Sequence, residues 1–135
     1  MTVTENLSRA IKDVVGPKGW STDADQIEAH VTERRGLWHG QCDIVVSPDS
    51  ADDVAQIMSI CHDNGIAVVP QGGNTGLVGG GVPEGGIALS LARLNTVRSI
   101  DAANNTMTVD AGCILADVQA AAEAVDRLFP LSLGA

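Results

Sequence analysis

The stretch VVPQGGNTGLVGGGVPEGG, residues 68–86, carries eight of the chain's fifteen glycines. Glycine loses more conformational freedom on folding than any other residue, so such a run answers a need for close backbone approach or for positive φ. It stands between two short apolar runs, IAVVP at 66–70 and IALSL at 87–91, both of strand character. Three readings are open at this point: a flexible connection, a tight chain reversal, or a cradle for a ligand.

The elements around the loop narrow the fold. DIVVSP (43–48) is a short β-branched run stopped by Pro48, and SADDVAQIMSICHDNG is a marked helix. Ser50 caps that helix, Asp52 and Asp53 sit in its first turn where they suit the dipole, and Asn64-Gly65 close it. Val54, Ile57, Met58 and Cys61 recur at helical spacing and predict one buried stripe. Strands 43–48 and 66–70 with this helix between them predict a parallel pair joined by a right-handed crossover.

Upstream, Thr2 and Glu5 form a capping-box pattern for a first helix with Leu7, Ala10, Ile11, Val14 and Val15 on one face, ended by Gly16-Pro17. TDADQIEAHV predicts a second short helix opened by Thr22 or Asp23, and ERRGLWHGQ reads as loop. Downstream of the third strand (87–91), TVRSID and TMTVDAG are split by AANN, which predicts a hairpin. A last helix, ILADVQAAAEAV, places Leu115, Val118, Ala122 and Val125 on one stripe. The chain then ends in RLFPLSLGA, which reads as cut rather than finished.

The chain's 135 residues suffice for one domain with a real core and are too few for two large ones. Eight basic against seventeen acidic residues give a net charge of −9, the wrong sign for nucleic acid or anionic membranes. Aromatics are limited to Trp20, Trp38 and Phe129, which excludes a base-stacking platform. Cys42, Cys61 and Cys113 are odd in number and widely spaced, so they read as thiols rather than as a disulfide framework or zinc site. No apolar run is long enough to span a bilayer and the N-terminus lacks a signal-peptide pattern, so a cytoplasmic setting is expected.

Two familiar phosphate loops fail on the glycine stretch. A P-loop needs Gly-Lys-Ser/Thr opening a helix, and the stretch contains no Lys or Arg. G-x-G-x-x-G has no match in residues 72–86, and a strand follows instead of a helix. What survives is a nest, in which successive backbone N–H groups turn to one side around an anion. Gly72, Gly73 and Gly76 permit that geometry, Asn74 and Thr75 add side-chain hydrogen bonds, and the place just past a strand's carboxyl end suits a ligand. A mobile connection or a tight hairpin fits the same composition.

PQGGNTGLVGGGVPEGGIALSLARLNTVRSID, followed by TMTVDAG and LFPLSLGA, resembles the FAD-binding domain of the vanillyl-alcohol oxidase / p-cresol methylhydroxylase flavoproteins. Within that family it is most similar to the D-2-hydroxyglutarate and D-lactate dehydrogenases and the glycolate oxidase FAD subunit. The resemblance runs from about GPKGW to the last residue. It implies an α+β fold of the p-cresol methylhydroxylase (PCMH) FAD-binding type: a small parallel β-α-β subdomain, about 1–95, and the start of an antiparallel subdomain, about 96–135. On this expectation 1–135 is the N-terminal portion of an FAD-binding domain and the substrate domain is absent.

The resemblance also implies the site. The loop backbone of Pro70, Gln71, Gly72, Gly73, Asn74, Thr75, Gly76 and Leu77 would wrap the FAD pyrophosphate, with Gly79 and Gly80 structural. Pro130, Leu131, Ser132, Leu133, Gly134 and Ala135 would pass close to the flavin. Covalently flavinylated relatives often carry a His in the loop; here position 74 is Asn and the loop has none, so non-covalent FAD is expected. The implied activity is oxidation of a small D-2-hydroxy acid, of 2-hydroxyglutarate, lactate or glycolate type, by hydride transfer to flavin. The fragment would not turn over alone, and the apolar surface it exposes would favour self-association. Two alternatives stay open: a non-catalytic nucleotide-binding or scaffold module, and a family member with a different substrate.

The remaining residues have bland readings. His39 reads as a surface loop histidine, His62 suits the C-terminal end of its helix, and Arg34 and Arg35 read as solvated charges or as contacts for an acidic substrate. Arg93 fixes the turn after the third strand or faces the glycine loop. Asp110 and Glu123 have no partner carboxylate at recognisable spacing, so no catalytic residue and no metal ligand is assigned.

Overall fold

Ile44–Val46 (β2) and Ile87–Ser90 (β4) are buried at every position, as strands are when a sheet is covered on both faces. In the computed structural model, which describes residues 2–133, they are the inner pair of a four-stranded sheet. Its order is β1-β2-β4-β3, with Trp20–Ser21 (β1) antiparallel to β2 and Val68–Gln71 (β3) parallel to β4. Val97–Asp101 (β5) and Thr106–Val109 (β6) form a separate antiparallel hairpin, with a bulge between Val97 and Ser99. The α+β class and the hairpin are as expected from the sequence.

The crossover differs in one respect from its expectation. The strands at 44–46 and 68–71 run parallel, but they are not neighbours: β4 enters between them, pairing Ile44 with Ile87 on one side and Val68 with Ile87 on the other. The reason lies in hydrophobicity. The run at 87–90 is apolar on both faces and takes the most buried place, while the run at 68–71 contains Pro70, which cannot donate to a ladder. The carbonyls of Ala67 and Gln71 accept from Ile87 (3.0 Å) and Leu91 (2.8 Å), so Pro70 turns its missing N–H to the open edge.

Helix Glu5–Val15 (α1) starts at Thr4, whose Oγ1 accepts from the Leu7 N–H. The expected Thr2–Glu5 capping box therefore does not form, and Glu5 instead lies in the first turn of the helix. Asp23 caps Ala24–Val31 (α2), and Ser50 caps Ala51–Asp63 (α3) through the Asp53 N–H at 3.0 Å. The last helix, Leu115–Glu123 (α4), has no side-chain cap, and of its expected stripe Val118 and Ala122 are buried while Leu115 and Val125 are half-buried. Leu7 and Ile11 of α1 and Ile57 and Cys61 of α3 pack with Ile44, Val46, Ile87 and Leu89 on one face of the sheet. Period-two alternation sends Val45 and Ala88 to the other face, where α2 touches β2.

Met58 is 44% exposed and does not belong to the buried stripe expected of α3, because Ile57 and Cys61, flanked by the half-buried Val54 and Ile60, are the residues that face the core. The two neighbours should separate cleanly in a stability assay. Ile57→Ala should cost about 2–5 kcal/mol, the usual range for truncating a fully buried aliphatic, whereas Met58→Ala should stay within about 0.5 kcal/mol of wild type. Urea midpoints of the two variants check this.

Candidate functional site

Parallel neighbours cannot be joined by a tight turn, because the chain must travel back along the sheet before the next strand begins. The connection from β3 to β4 is residues 72–86, and it contains no helix. This geometry removes the hairpin reading of the glycine stretch. The second half is zipped to the segment entering β2: Gln41 donates to Pro83 O (2.8 Å), Gly85 to Gln41 O (2.7 Å), and Asp43 to Gly86 O (2.8 Å). Gly86, at φ 72°, lies so close to the Ala67 backbone that no side chain fits.

The first half is closed by one side chain. Gln71 ends β3 with only 3% of its surface exposed. Its Nε2 donates to the carbonyls of Gly81 (2.6 Å) and His30 (2.7 Å), and its Oε1 faces His30 Nδ1 at 2.5 Å. The amide nitrogen is fixed by two carbonyls, so Oε1 can only accept and His30 Nδ1 carries the proton. Residues 71 and 81, the two ends of the open part of the loop, are thereby held together.

A second brace comes from the segment after α2. Thr32 bridges to His39, and the turn between them is built on Glu33, whose carboxylate accepts from Arg35 Nε (2.9 Å) and the Leu37 N–H (3.3 Å). Arg35 then donates to the Leu77 carbonyl at the tip of the glycine loop. The Trp38 ring lies over Gly79, where an added Cβ would stand 2.9 Å from Trp38 Cδ2. Desolvation pushes the Glu33 carboxyl up, but the Arg35 guanidinium and the backbone donors outweigh it and hold the group below its ordinary value.

Between these braces the backbone is free. Among the described residues, the N–H groups from Gly72 to Gly81 donate to no protein acceptor. Added Cβ atoms at Gly76 and Gly80 would meet nothing within 4 Å, and one at Gly73 would meet only Thr75 Cγ2 at 3.9 Å. Positive φ occurs at Asn74 (49°) and Gly79 (79°), not at the Gly72, Gly73 and Gly76 to which the nest reading assigned the special conformations. Asn tolerates the left-handed region better than most residues, and its Oδ1 lies 2.8 Å from where a Cβ on Gly81 would stand. Gly72 is packed instead against the Ala111 carbonyl, 3.0 Å from its Cβ position.

Residues 42–135 match the family model described as "FAD binding domain". The chain belongs to this FAD-binding family. It is 35% identical over 125 residues to the "Probable D-2-hydroxyglutarate dehydrogenase, mitochondrial" of Oryza sativa subsp. indica, a match over 92% of this chain and 22% of that protein. The chain thus spans about a fifth of that relative's length. Among solved structures, an alkyldihydroxyacetonephosphate synthase superposes with a TM-score of 0.79 at 19% identity, over 90% of this chain and 27% of that one. A substrate-bound p-cresol methylhydroxylase gives 0.70 at 14% identity, over 92% and 26%. These two likenesses establish the fold, which is the PCMH type expected from the motifs.

One expectation is overturned. The rice relative is named mitochondrial, as are the relatives from Arabidopsis thaliana, Danio rerio and Schizosaccharomyces pombe, so the cytoplasmic setting is withdrawn. It rested on the lack of a secretory pattern and of a membrane span, and neither bears on import into an organelle.

Not all the expected site residues in this FAD-binding chain come together. Pro70 through Gly80 form the connected loop, with Leu77 and Gly79 held from the 33–38 turn. Pro130 to Leu133 run elsewhere, along α4, where Gln119 Nε2 donates to the Leu131 carbonyl at 2.8 Å. Gly134 and Ala135 lie outside the described residues. Arg93 does not face the loop; it ties Ser47 O (2.9 Å) and Asp49 (2.7 Å) to the end of β4. His39 pairs with Glu28 at 3.2 Å on the surface. His30 and Trp38 escaped the sequence reading because they meet the loop across some forty residues of chain, and Arg35 was weighed only for a substrate or solvent.

The lowered carboxyl of Glu33 makes the 33–38 turn acid-sensitive with a definite sign. A depressed carboxylate stabilises the fold above its ordinary value of 4.5, and that contribution is lost as pH falls through the lowered folded-state value. Stability measured by urea midpoint should therefore fall on acidification below about pH 4.5, and Glu33→Gln should flatten that limb. Equal acid slopes in both proteins would remove Glu33 from the account.

Proposed function

We propose that the loop from Gln71 to Gly81 is the pyrophosphate cradle for non-covalently held FAD, in a protein that oxidises a D-2-hydroxy acid. The observation that carries this reading is the pairing of free N–H groups from Gly72 to Gly81 with glycines whose side-chain space is empty. A run of unpartnered donors and missing Cβ atoms suits a diphosphate, which needs many acceptor oxygens met at close range. No basic side chain lies in the loop, so the binding is through fixed backbone dipoles rather than through ion pairs.

In this reading the backbone from Gly72 to Gly76 contacts the diphosphate, Asn74 and Thr75 add polar side chains, and Gly79 and Gly80 keep the return path thin. The loop presents no His, Cys or Tyr to form a covalent tether. The segment after α4 would serve the flavin end, and the subdomain boundary would fall near residue 95. FAD, when bound, supplies the electron acceptor for oxidation of a C–H bond beside a hydroxyl. The residues of this chain bind and orient it, and none is assigned a proton-transfer role. The D-2-hydroxy acid follows from the named activity of the rice relative, whose remaining four-fifths has no counterpart in the chain.

Alanine at the three open glycines tests the cradle. A Gly73→Ala, Gly76→Ala, Gly80→Ala triple variant should keep or slightly raise thermal stability, since Gly→Ala at a compatible backbone gains about 0.4–1 kcal/mol through the unfolded state. Its affinity for FAD, measured by flavin fluorescence titration of the full-length apoprotein, should fall by more than about tenfold, the factor equal to about 1.4 kcal/mol. Wild-type affinity in the triple variant would sink the cradle. The substrate class is tested separately by dye reduction with D-2-hydroxyglutarate, D-lactate and glycolate; turnover of none of them would reject it.

A further inference from the structure

We infer that His30 is a positioning residue for the FAD cradle: through Gln71 it clamps the two ends of the glycine loop and sets its shape before ligand arrives. The inference rests on the loop being the FAD site, and it goes further by assigning that shape to a residue outside the loop, on a different element. His30 lies in the last turn of α2, whose N-terminus is fixed by the Asp23 cap. Gln71 is the last residue of β3. Their side chains meet at 2.5 Å, and the same Gln71 amide reaches the Gly81 carbonyl at 2.6 Å.

The arrangement is directional. Gln71 can hold Gly81 only if its Nε2 faces that carbonyl, an orientation that the Gly81 and His30 carbonyls set together. The donor His30 Nδ1 makes the turned amide unfavourable, because Nε2 would then face an N–H and Oε1 would face two carbonyls. A buried amide left so mismatched loses its hydrogen bonds and still carries its desolvation cost. His30 therefore locks the orientation of Gln71 from both sides, through its carbonyl on Nε2 and its ring on Oε1, and Gln71 fixes the spacing between residues 71 and 81. The loop's own hydrogen bonds cannot do this, since from Gly72 to Gly81 the described structure gives them only the Val82-to-Gly79 turn at its end.

Three variants of the full-length protein test the clamp. His30→Ala removes the ring donor but leaves the His30 carbonyl in place. Gln71→Glu replaces the donor with a carboxylate that faces two carbonyl oxygens. His30→Asn restores an amide N–H near the position of Nδ1. Two readouts are taken beside the thermal midpoint: FAD affinity of the apoprotein, and the rate at which a protease selective for large aliphatic residues cuts the ligand-free loop at Leu77 and Val78. Val78 is 85% exposed, so cutting reports how far the loop opens.

We expect His30→Ala and Gln71→Glu to weaken FAD binding about fivefold to tenfold, the factor one buried hydrogen bond is worth, and to speed loop cutting several-fold. His30→Asn should bring both back to within about twofold of wild type. A merely structural histidine would lower the midpoint and leave affinity and cutting unchanged in the folded fraction, and that result overturns the clamp. If wild type bound no FAD while His30→Ala still sped loop cutting, the clamp would stand and the FAD reading would fail. Should Gln71→Glu not fold, His30→Ala with its Asn rescue decides alone.

Discussion

The insertion of β4 between β2 and β3 is the constraint on which the rest of this fold depends. Once β3 and β4 are parallel neighbours, the chain between them must run back along the sheet. Most such connections do so with a helix, which satisfies its own backbone. Here the return is made by residues 72–86 without one, so its N–H groups are met by other chain segments, by water or by a ligand. The second half is met by residues 41–43. The first half is held by its ends and its tip, through Gln71, Arg35 and Trp38, and leaves its donors uncommitted.

That division explains why the glycines are not equivalent. Gly86 and Gly112 are required by the fold, since an added Cβ would strike the backbone of Ala67 and of Leu91 and Leu94. Gly40 is required for the same reason beside Pro83. Gly73, Gly76 and Gly80 meet no such obstacle, and none has positive φ. For the protein alone, alanine at those three positions would cost less unfolded-state entropy than glycine does. The fold alone gives no steric or conformational reason for glycine at these three positions, and that is the support for the proposed cradle.

Local signals carried much of the fold. The Ser50 cap, the Asn64-Gly65 stop, the AANN turn and the β-branched runs all act within a few residues, and each element stands where they place it. Apart from the Thr2–Glu5 capping box and the placing of Met58, what failed was non-local. The two-residue strand at Trp20–Ser21 is defined only by its pairing with β2, and the strand order depends on which run is apolar on both faces once α1 and α3 dock. The site shows the same split. Its loop was legible as composition and as family motif, but positive φ falls at Asn74 and Gly79 rather than at Gly72, Gly73 or Gly76, and Asn74 brings a side chain close to Gly81. His30 and Trp38 carry no periodicity that would mark them, since their partners are brought near by the sheet and not by the helix or turn they occupy.

The electrostatics explain why a frame outside the loop matters. The chain carries a net charge of −9, and Arg35, the cation that reaches the loop tip, is already paired with the buried Glu33 carboxylate. A diphosphate approaching this surface gains little from the protein's overall field and must be held by short-range N–H dipoles. Such dipoles act strongly only when they are already oriented, because ordering a glycine-rich segment on binding would subtract its conformational entropy from the affinity. Glycine, which would let the backbone approach a ligand, is also the residue that makes this ordering most costly. The Gln71 hub, the Arg35 contact and the Trp38 ring remove that conflict by fixing the loop at both ends and its tip, while the backbone between them stays bare.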